Sequence, residues 1–195
     1  IGVEVLLLDI CPKELNENEV KQNLSLGSKK VKNRIVNDMF QKCIKSRPSP
    51  IYNKKFLDRI KLGNFEDDID KISEVDWIIE VVVEKLDIKK SVFDLVEKHR
   101  KTGTIITSNT SGIPIKLMNE GRSDDFKECF AITHFFNPPR YLNLFEVVPG
   151  PDCKKEILDF LLYYGEKFLG KTSVLAKDTP AFIGNRIGIF GIMSL

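Results

Sequence analysis

The sequence contains no G-x-G-x-x-G segment, only two histidines, and four cysteines of which none forms a C-x-x-C pair. Each absence excludes something. Without the glycine fingerprint, these residues carry no phosphate-binding turn of the usual dinucleotide type. Cys11, Cys43, Cys129 and Cys153 are too far apart in sequence for a zinc ribbon or a redox dithiol. Any imidazole chemistry must use His99 or His134. No apolar run approaches the roughly 20 residues that span a bilayer, and no secretory leader is visible. A cytoplasmic protein with reduced thiols and no membrane partner is the expectation. Charge of one sign is also lacking. With 30 Lys and Arg against 28 Asp and Glu, the net charge is +2, which argues against a nucleic-acid partner and against an acidic disordered tail.

What is present is a core. The 195 residues are 42% hydrophobic and include 13 Phe, enough for one medium domain with an appendage. Residues 3–10 (VEVLLLDI) read as a strand buried on both faces, and 77–83 (WIIEVVV) as a second. Between them, 31–44 has a weak helical pattern broken by the RPSP at 47–50, and 52–60 looks helical. Ile88, Val92 and Leu95 lie at helical spacing in 87–98. Short strands follow at 104–107, 130–135, 144–148 and 172–176. A short helix is expected at 113–119, an amphipathic one at 156–168, and a mostly apolar one at 182–195, with Pro180 near its start. Strand–helix alternation of this kind is an α/β pattern with a mainly parallel sheet, and such sheets bind ligands at the carboxyl edge of their strands.

Several residues could carry chemistry. Asp9 ends the first strand, where an acid either caps a turn or accepts hydrogen bonds from a ribose. His134 sits in THFFNPP (133–139), and Glu146 follows twelve residues later inside an apolar strand, a costly place for an unpaired acid. Two antiparallel strands would bring them together, either as a structural ion pair or as a general base with its carboxylate partner. Spacing alone does not choose between these. The polar cluster 108–112 (SNTSG) follows a strand and is either a helix cap or a substrate-orienting loop. KDTP at 177–180, followed by Asn185 and Arg186, reads as a strand end and an ordinary helix cap. His99 reads as a surface residue at a helix C-terminus, and the basic cluster at 29–34 (KKVKNR) as a solvated helix face.

Six segments in order carry a resemblance: LLLD at 6–9, VVVEKLDIKK at 81–90, SNTSGIPI at 108–115, THFFNPP at 133–139, FEVVPG at 145–150 and KDTPAFIGNR at 177–186. Together they resemble the NAD-binding part of the 3-hydroxyacyl-CoA dehydrogenases, most closely that of bifunctional bacterial enzymes of fatty-acid β-oxidation. The resemblance implies NAD as cofactor and an acyl-CoA substrate. It implies His134 as catalytic base, Glu146 as its partner, and Ser111, Asn137 and Asn185 around the substrate. Asp9 matches the ribose acid, and Glu84, Lys89 and Asn109 match residues lining the nicotinamide side. The implied fold is a Rossmann-like, doubly wound sheet over 1–179, with 180–195 beginning an all-helical domain that usually dimerises.

The sequence departs from that family at its start. The first strand and glycine turn would lie upstream of Ile1, and their absence would leave a slot in the sheet and weaken NAD binding. Two readings therefore compete: the catalytic segment of a longer dehydrogenase, or a non-catalytic fragment that forms homo-oligomers through open strand edges and the apolar last helix.

Overall fold

The computed structural model describes residues 2–194; Ile1 and Leu195, the last residue of the expected helix 182–195, lie outside the described residues. Two compact units divide the chain between Ile72 and Ser73.

The first unit holds strand β1 (Val5–Asp9), helices α1 (Glu17–Lys21), α2 (Lys29–Lys32) and α3 (Arg34–Lys45), and strand β2 (Ile60–Asn64). β1 and β2 pair in parallel, with Asp9 opposite Asn64. α1 was not foreseen, although it opens with a capping box: Asn16 accepts from the Glu19 N–H and Glu19 accepts from the Asn16 N–H. The helical expectation for 52–60 is met by a 3-10 helix, Lys54–Arg59. β2 beyond it was not foreseen: the strand has only Ile60 and Leu62 as apolar positions, too few to signal an alternation. β1 is also not buried on both faces. It has one strand neighbour, and Val5 and Leu7 each remain 39% exposed. The acid-rich turn after β2 is fixed by Asn64. Its Oδ1 accepts the N–H groups of Glu66 and Asp67, and its amide donates to Asn33 Oδ1 at 2.6 Å.

The second unit is a five-stranded sheet in the order β3 (Trp77–Glu80), β4 (Ile105–Ser108), β5 (Phe130–Phe135), β6 (Leu144–Pro149), β7 (Thr172–Leu175). Helices α4 (Leu86–His99), α5 (Ile115–Asn119), α6 (Asp124–Glu128), α7 (Lys155–Lys167) and α8 (Gly184–Met193) complete it. β3, β4 and β5 are parallel, β6 reverses direction against β5, and β7 runs parallel to β6. The parallel strands therefore deliver their carboxyl ends to one edge.

Alternation along β5 divides the core in two. Phe130 packs edge-on to Phe93 of α4 and stacks on Phe126 of α6. Ala131 joins Phe145, Val147 and, from α7, Ile157 and Leu161 in a separate cluster. Each fully buried Phe contributes about 1.5–3 kcal/mol of transfer free energy. α7 presses close to the sheet at Gly165, where a Cβ would lie 2.4 Å from Ser173 Oγ.

Two further expectations need correction. The strand read as 77–83 stops at Glu80, and Val81 and Val83 are exposed. Its end is chemical: the Glu80 carboxylate takes the Val82 N–H at 2.6 Å, in place of a ladder partner. The last helix begins at Gly184, because Ala181 and Phe182 adopt left-handed φ values of 62° and 45°. None of α8 is buried, and Phe190 and Met193 are 74% and 82% exposed, so the apolar helix, one of the two surfaces expected to serve a homo-oligomer beside open strand edges, is uncovered in the single chain. Among the described residues, no helix is long and apolar enough to cross a membrane.

Candidate active site

The carboxyl edge of β3, β4 and β5 carries a connected set of polar side chains inside the second unit. His134 and Glu146 face each other as register partners across the β5–β6 ladder. Directly opposed antiparallel residues place their side chains on one face within contact distance. His134 Nδ1 lies 2.6 Å from Glu146 Oε2, and His134 Nε2 lies 3.2 Å from Ser111 Oγ. Glu146 is fully buried. Its other oxygen, Oε1, accepts the backbone N–H groups of Ile183 and Gly184, at 2.9 and 2.8 Å. These are unpaired donors at the start of α8, where the helix dipole also favours an anion. The buried carboxylate is thus satisfied on both oxygens.

That network assigns the imidazole tautomer. A carboxylate accepts only, so Nδ1 carries the proton and donates it to Glu146. Nε2 keeps its lone pair toward Ser111. Phe136 and Phe182 flank the ring edge-on, with centroids at 4.5 and 5.5 Å, and restrict its rotation. α8 can approach this closely only because residue 184 is glycine: a Cβ there would sit 2.7 Å from Phe136 Cζ.

A second cluster supports the serine loop from below. Glu80 and Lys89 form a fully buried ion pair, with Lys89 Nζ 2.9 Å from each Glu80 oxygen and 3.2 Å from Glu84 Oε2. Ser108 donates to Glu80 Oε2 at 2.5 Å. Glu84 Oε1 accepts the Thr110 hydroxyl and, at 3.0 Å, the Ser111 N–H. Burial by itself would raise the Glu84 carboxyl, but these hydrogen bonds and the Lys89 ammonium outweigh it and hold it below its ordinary value.

The residues named from the sequence separate into groups. Ser111, His134 and Glu146 come together. Glu84 adjoins them through the Ser111 N–H and stays half-exposed at the edge. Asn109 lies at the same edge, and its Oδ1 accepts the Phe135 N–H at 2.9 Å, which ties the serine loop to the end of β5. Asn137 is exposed beyond β5, and Asn185 is half-buried in the first turn of α8. No side-chain hydrogen bond among the described residues joins either to the pair. Lys89, expected to line the cofactor, is buried against two carboxylates instead. Asp9 belongs to the first unit, where it ends β1 and accepts the Ile10 N–H on Oδ1. Sequence reasoning missed Glu80 and the two backbone donors at 183 and 184. Glu80 did carry a signal, an acid inside an apolar run.

Within the second unit, the acceptor chemistry fits a nicotinamide: the half-exposed Glu84 carboxylate at the strand edge suits acceptance from a carboxamide.

Comparison with known proteins identifies the family. The family model described as "3-hydroxyacyl-CoA dehydrogenase, NAD binding domain" matches residues 1–179. A probable 3-hydroxyacyl-CoA dehydrogenase of Bacillus subtilis is 51% identical over 193 residues, covering 99% of this chain and 24% of the relative. A putative fatty acid oxidation complex trifunctional enzyme of Rickettsia felis is 37% identical over 187 residues, covering 96% of this chain and 24% of the relative. Among solved structures, the 3-hydroxybutyryl-CoA dehydrogenase of Escherichia coli K12 superposes with a TM-score of 0.68 at 26% identity, covering 96% of this chain and 36% of that one. The chain spans from about a quarter to about half the length of the first curated relatives it matches, at 24% and 51%. The fold is Rossmann-like, the domain is one that binds NAD, and the chain belongs to the 3-hydroxyacyl-CoA dehydrogenase family.

Proposed function

We propose that this chain is the NAD-binding, base-carrying part of an enzyme that oxidises a (3S)-3-hydroxyacyl-CoA to the 3-ketoacyl-CoA in fatty-acid β-oxidation. The observation that carries the reading is the line Ser111 Oγ, His134, Glu146, with contacts of 3.2 and 2.6 Å.

In this reading the substrate's 3-hydroxyl takes a place beside Ser111, within reach of His134 Nε2. NAD, when bound, would supply the acceptor for the hydride that leaves C3. His134 takes the hydroxyl proton, and the imidazolium that forms is stabilised by Glu146, whose own charge is held by the Ile183 and Gly184 N–H groups. Ser111 donates to the substrate oxygen and keeps it in register with Nε2. Asn137 and Asn185 belong to the substrate side, Asp9 takes the ribose, and Glu84 and Asn109 take the nicotinamide side. The aromatic rings of Phe136 and Phe182 exclude water from the imidazole, which strengthens its pairing with the carboxylate. The family match ends at residue 179, which supports treating 180–195 as a separate segment that opens a helical region. A cytoplasmic homo-oligomer is the assembly proposed.

The test is reduction of acetoacetyl-CoA by NADH with the full-length natural protein. Replacement His134→Gln is expected to lower kcat by about 10²–10⁴-fold, the usual contribution of a positioned base, with little change in NADH affinity. A His134→Gln protein of undiminished kcat refutes the assignment.

A further inference from the structure

Lys89 has an ammonium with three N–H donors and no acceptor. All three are directed to carboxylate oxygens: Glu80 Oε1 and Oε2, each at 2.9 Å, and Glu84 Oε2 at 3.2 Å. Its side chain is 1% exposed, as is that of Glu80. In this state each Lys89 donor is engaged by a carboxylate oxygen. Its role has to be exercised through what it holds.

What it holds is specific. Glu80 is the last residue of β3, and its carboxylate also accepts Ser108 Oγ at 2.5 Å and the Val82 N–H at 2.6 Å. Glu80 is therefore saturated, and its charge is matched by Lys89. The remaining Lys89 donor goes to Glu84. The other Glu84 oxygen receives the Thr110 hydroxyl and the Ser111 N–H, and Ser111 Oγ is the group 3.2 Å from His134 Nε2. Thr110 Oγ1 in turn accepts the Ile113 N–H at 3.0 Å, which closes the turn. The serine loop is thus gripped twice: at Ser108 directly by Glu80, and at residues 110–111 by Glu84 through Lys89.

We infer that Glu80 and Lys89 are positioning residues: a buried ion pair that orients Glu84 and, through it, sets the Ser111 hydroxyl against the His134 imidazole. The inference rests on the dehydrogenase reading for its kinetic consequence, and on the hydrogen bonds alone for its structural one. A buried ion pair is an uneconomical way to fill a core, since apolar residues of like volume often stabilise as well or better. The alternative is that the pair only fills space between β3 and α4. The two differ in what an apolar replacement does.

The experiment compares the full-length wild-type protein with Lys89→Met and with the double variant Glu80→Met/Lys89→Met. The single variant leaves Glu80 buried without its counter-charge and is expected to be less stable. The double variant removes both charges and is expected to recover part of that loss, since Ser108 and the Val82 N–H still lose their acceptor. In that folded variant we expect amide exchange of the peptide 109–113 to rise at least tenfold while that of 104–107 stays as in wild type. We also expect kcat for acetoacetyl-CoA reduction to fall at least tenfold, with a smaller change in KM. Unchanged exchange at 109–113 in a folded double variant overturns the inference. So does a wild-type kcat in that variant. If the double variant does not fold, the pair Glu84→Gln and Lys89→Arg replaces it. Faster exchange at 109–113 in Glu84→Gln with near-normal exchange in Lys89→Arg supports the inference, and equal exchange in both overturns it. Should the wild-type protein fail to reduce acetoacetyl-CoA, the dehydrogenase reading falls, and the exchange comparison still decides whether the pair positions the loop.

Discussion

Asp178 Oδ2 accepts the backbone N–H of Ile115 at 2.9 Å, joining two segments 63 residues apart in sequence. Asp178 was expected to cap the helix that follows it; it serves the first turn of α5 instead. That N–H is one of the four donors a helix start leaves unpaired, and an acid there also suits the helix dipole. Asp178→Ala is expected to cost about 0.5–2 kcal/mol, the usual range for a lost cap. Urea unfolding of the variant against wild type measures it, with Asp178→Asn losing less.

Gly184→Ala is expected to destabilise by about 1–3 kcal/mol, the ordinary range for overpacking. The added Cβ would lie 2.7 Å from Phe136 Cζ and 2.9 Å from Leu144 Cδ2, so the start of α8 has to retreat. Retreat lengthens the two N–H contacts to Glu146. The variant should therefore lose more activity than its fall in Tm accounts for, a comparison made by assaying well below the transition.

The Glu84 carboxyl is held below its ordinary value in the folded protein: burial opposes this, and the bonds from Thr110, Ser111 and Lys89 outweigh it. A depressed folded pKa contributes stability that is present above the unfolded carboxylate value, about 4.3, and is lost as pH falls through the folded value. Wild type should exceed Glu84→Gln in stability at about pH 6, and the difference should shrink toward zero at about pH 3. Half-exposure of the side chain limits the size of the effect, so the shape of the curve is the readout.

Thiol labelling separates the cysteines. Burial, with Cys129 nearby, pushes the Cys153 thiol up to about 11, and burial likewise raises Cys129. Cys43 is exposed on α3. Since the thiolate is the reactive form, iodoacetamide at about pH 8 should modify Cys43 first and reach Cys129 and Cys153 only after unfolding. Peptide mapping by mass spectrometry gives the order.

Much of the second unit was legible because its strands state their own pattern. FAITHF and LFEVVP are mostly apolar with one ionisable residue each, and pairing those two residues predicted the His134–Glu146 contact. Glu80 carried the same signal in WIIEVVV, but that run is more apolar and continuous, so the acid passed for an interruption rather than an end. β2 was illegible for the opposite reason, with too few apolar positions to declare a period. The left-handed pair Ala181–Phe182 has no sequence mark, since neither residue favours that region; tertiary contacts of Phe182 with His134 hold it there. The bond from Ile115 to Asp178 lies between residues too distant for any local rule.

The reversal of β6 has a consequence for how this site tolerates change. His134 and Glu146 meet because of ladder register, not because of the connector between them. A register slip by one residue would turn Glu146 to the opposite face and abolish the pair. Residues added to or removed from the loop beyond Asn137 leave the ladder untouched. That outer part of the connector is therefore insulated from the chemistry, and insertions there are expected to be accommodated at the surface while the acid–base geometry stays constant.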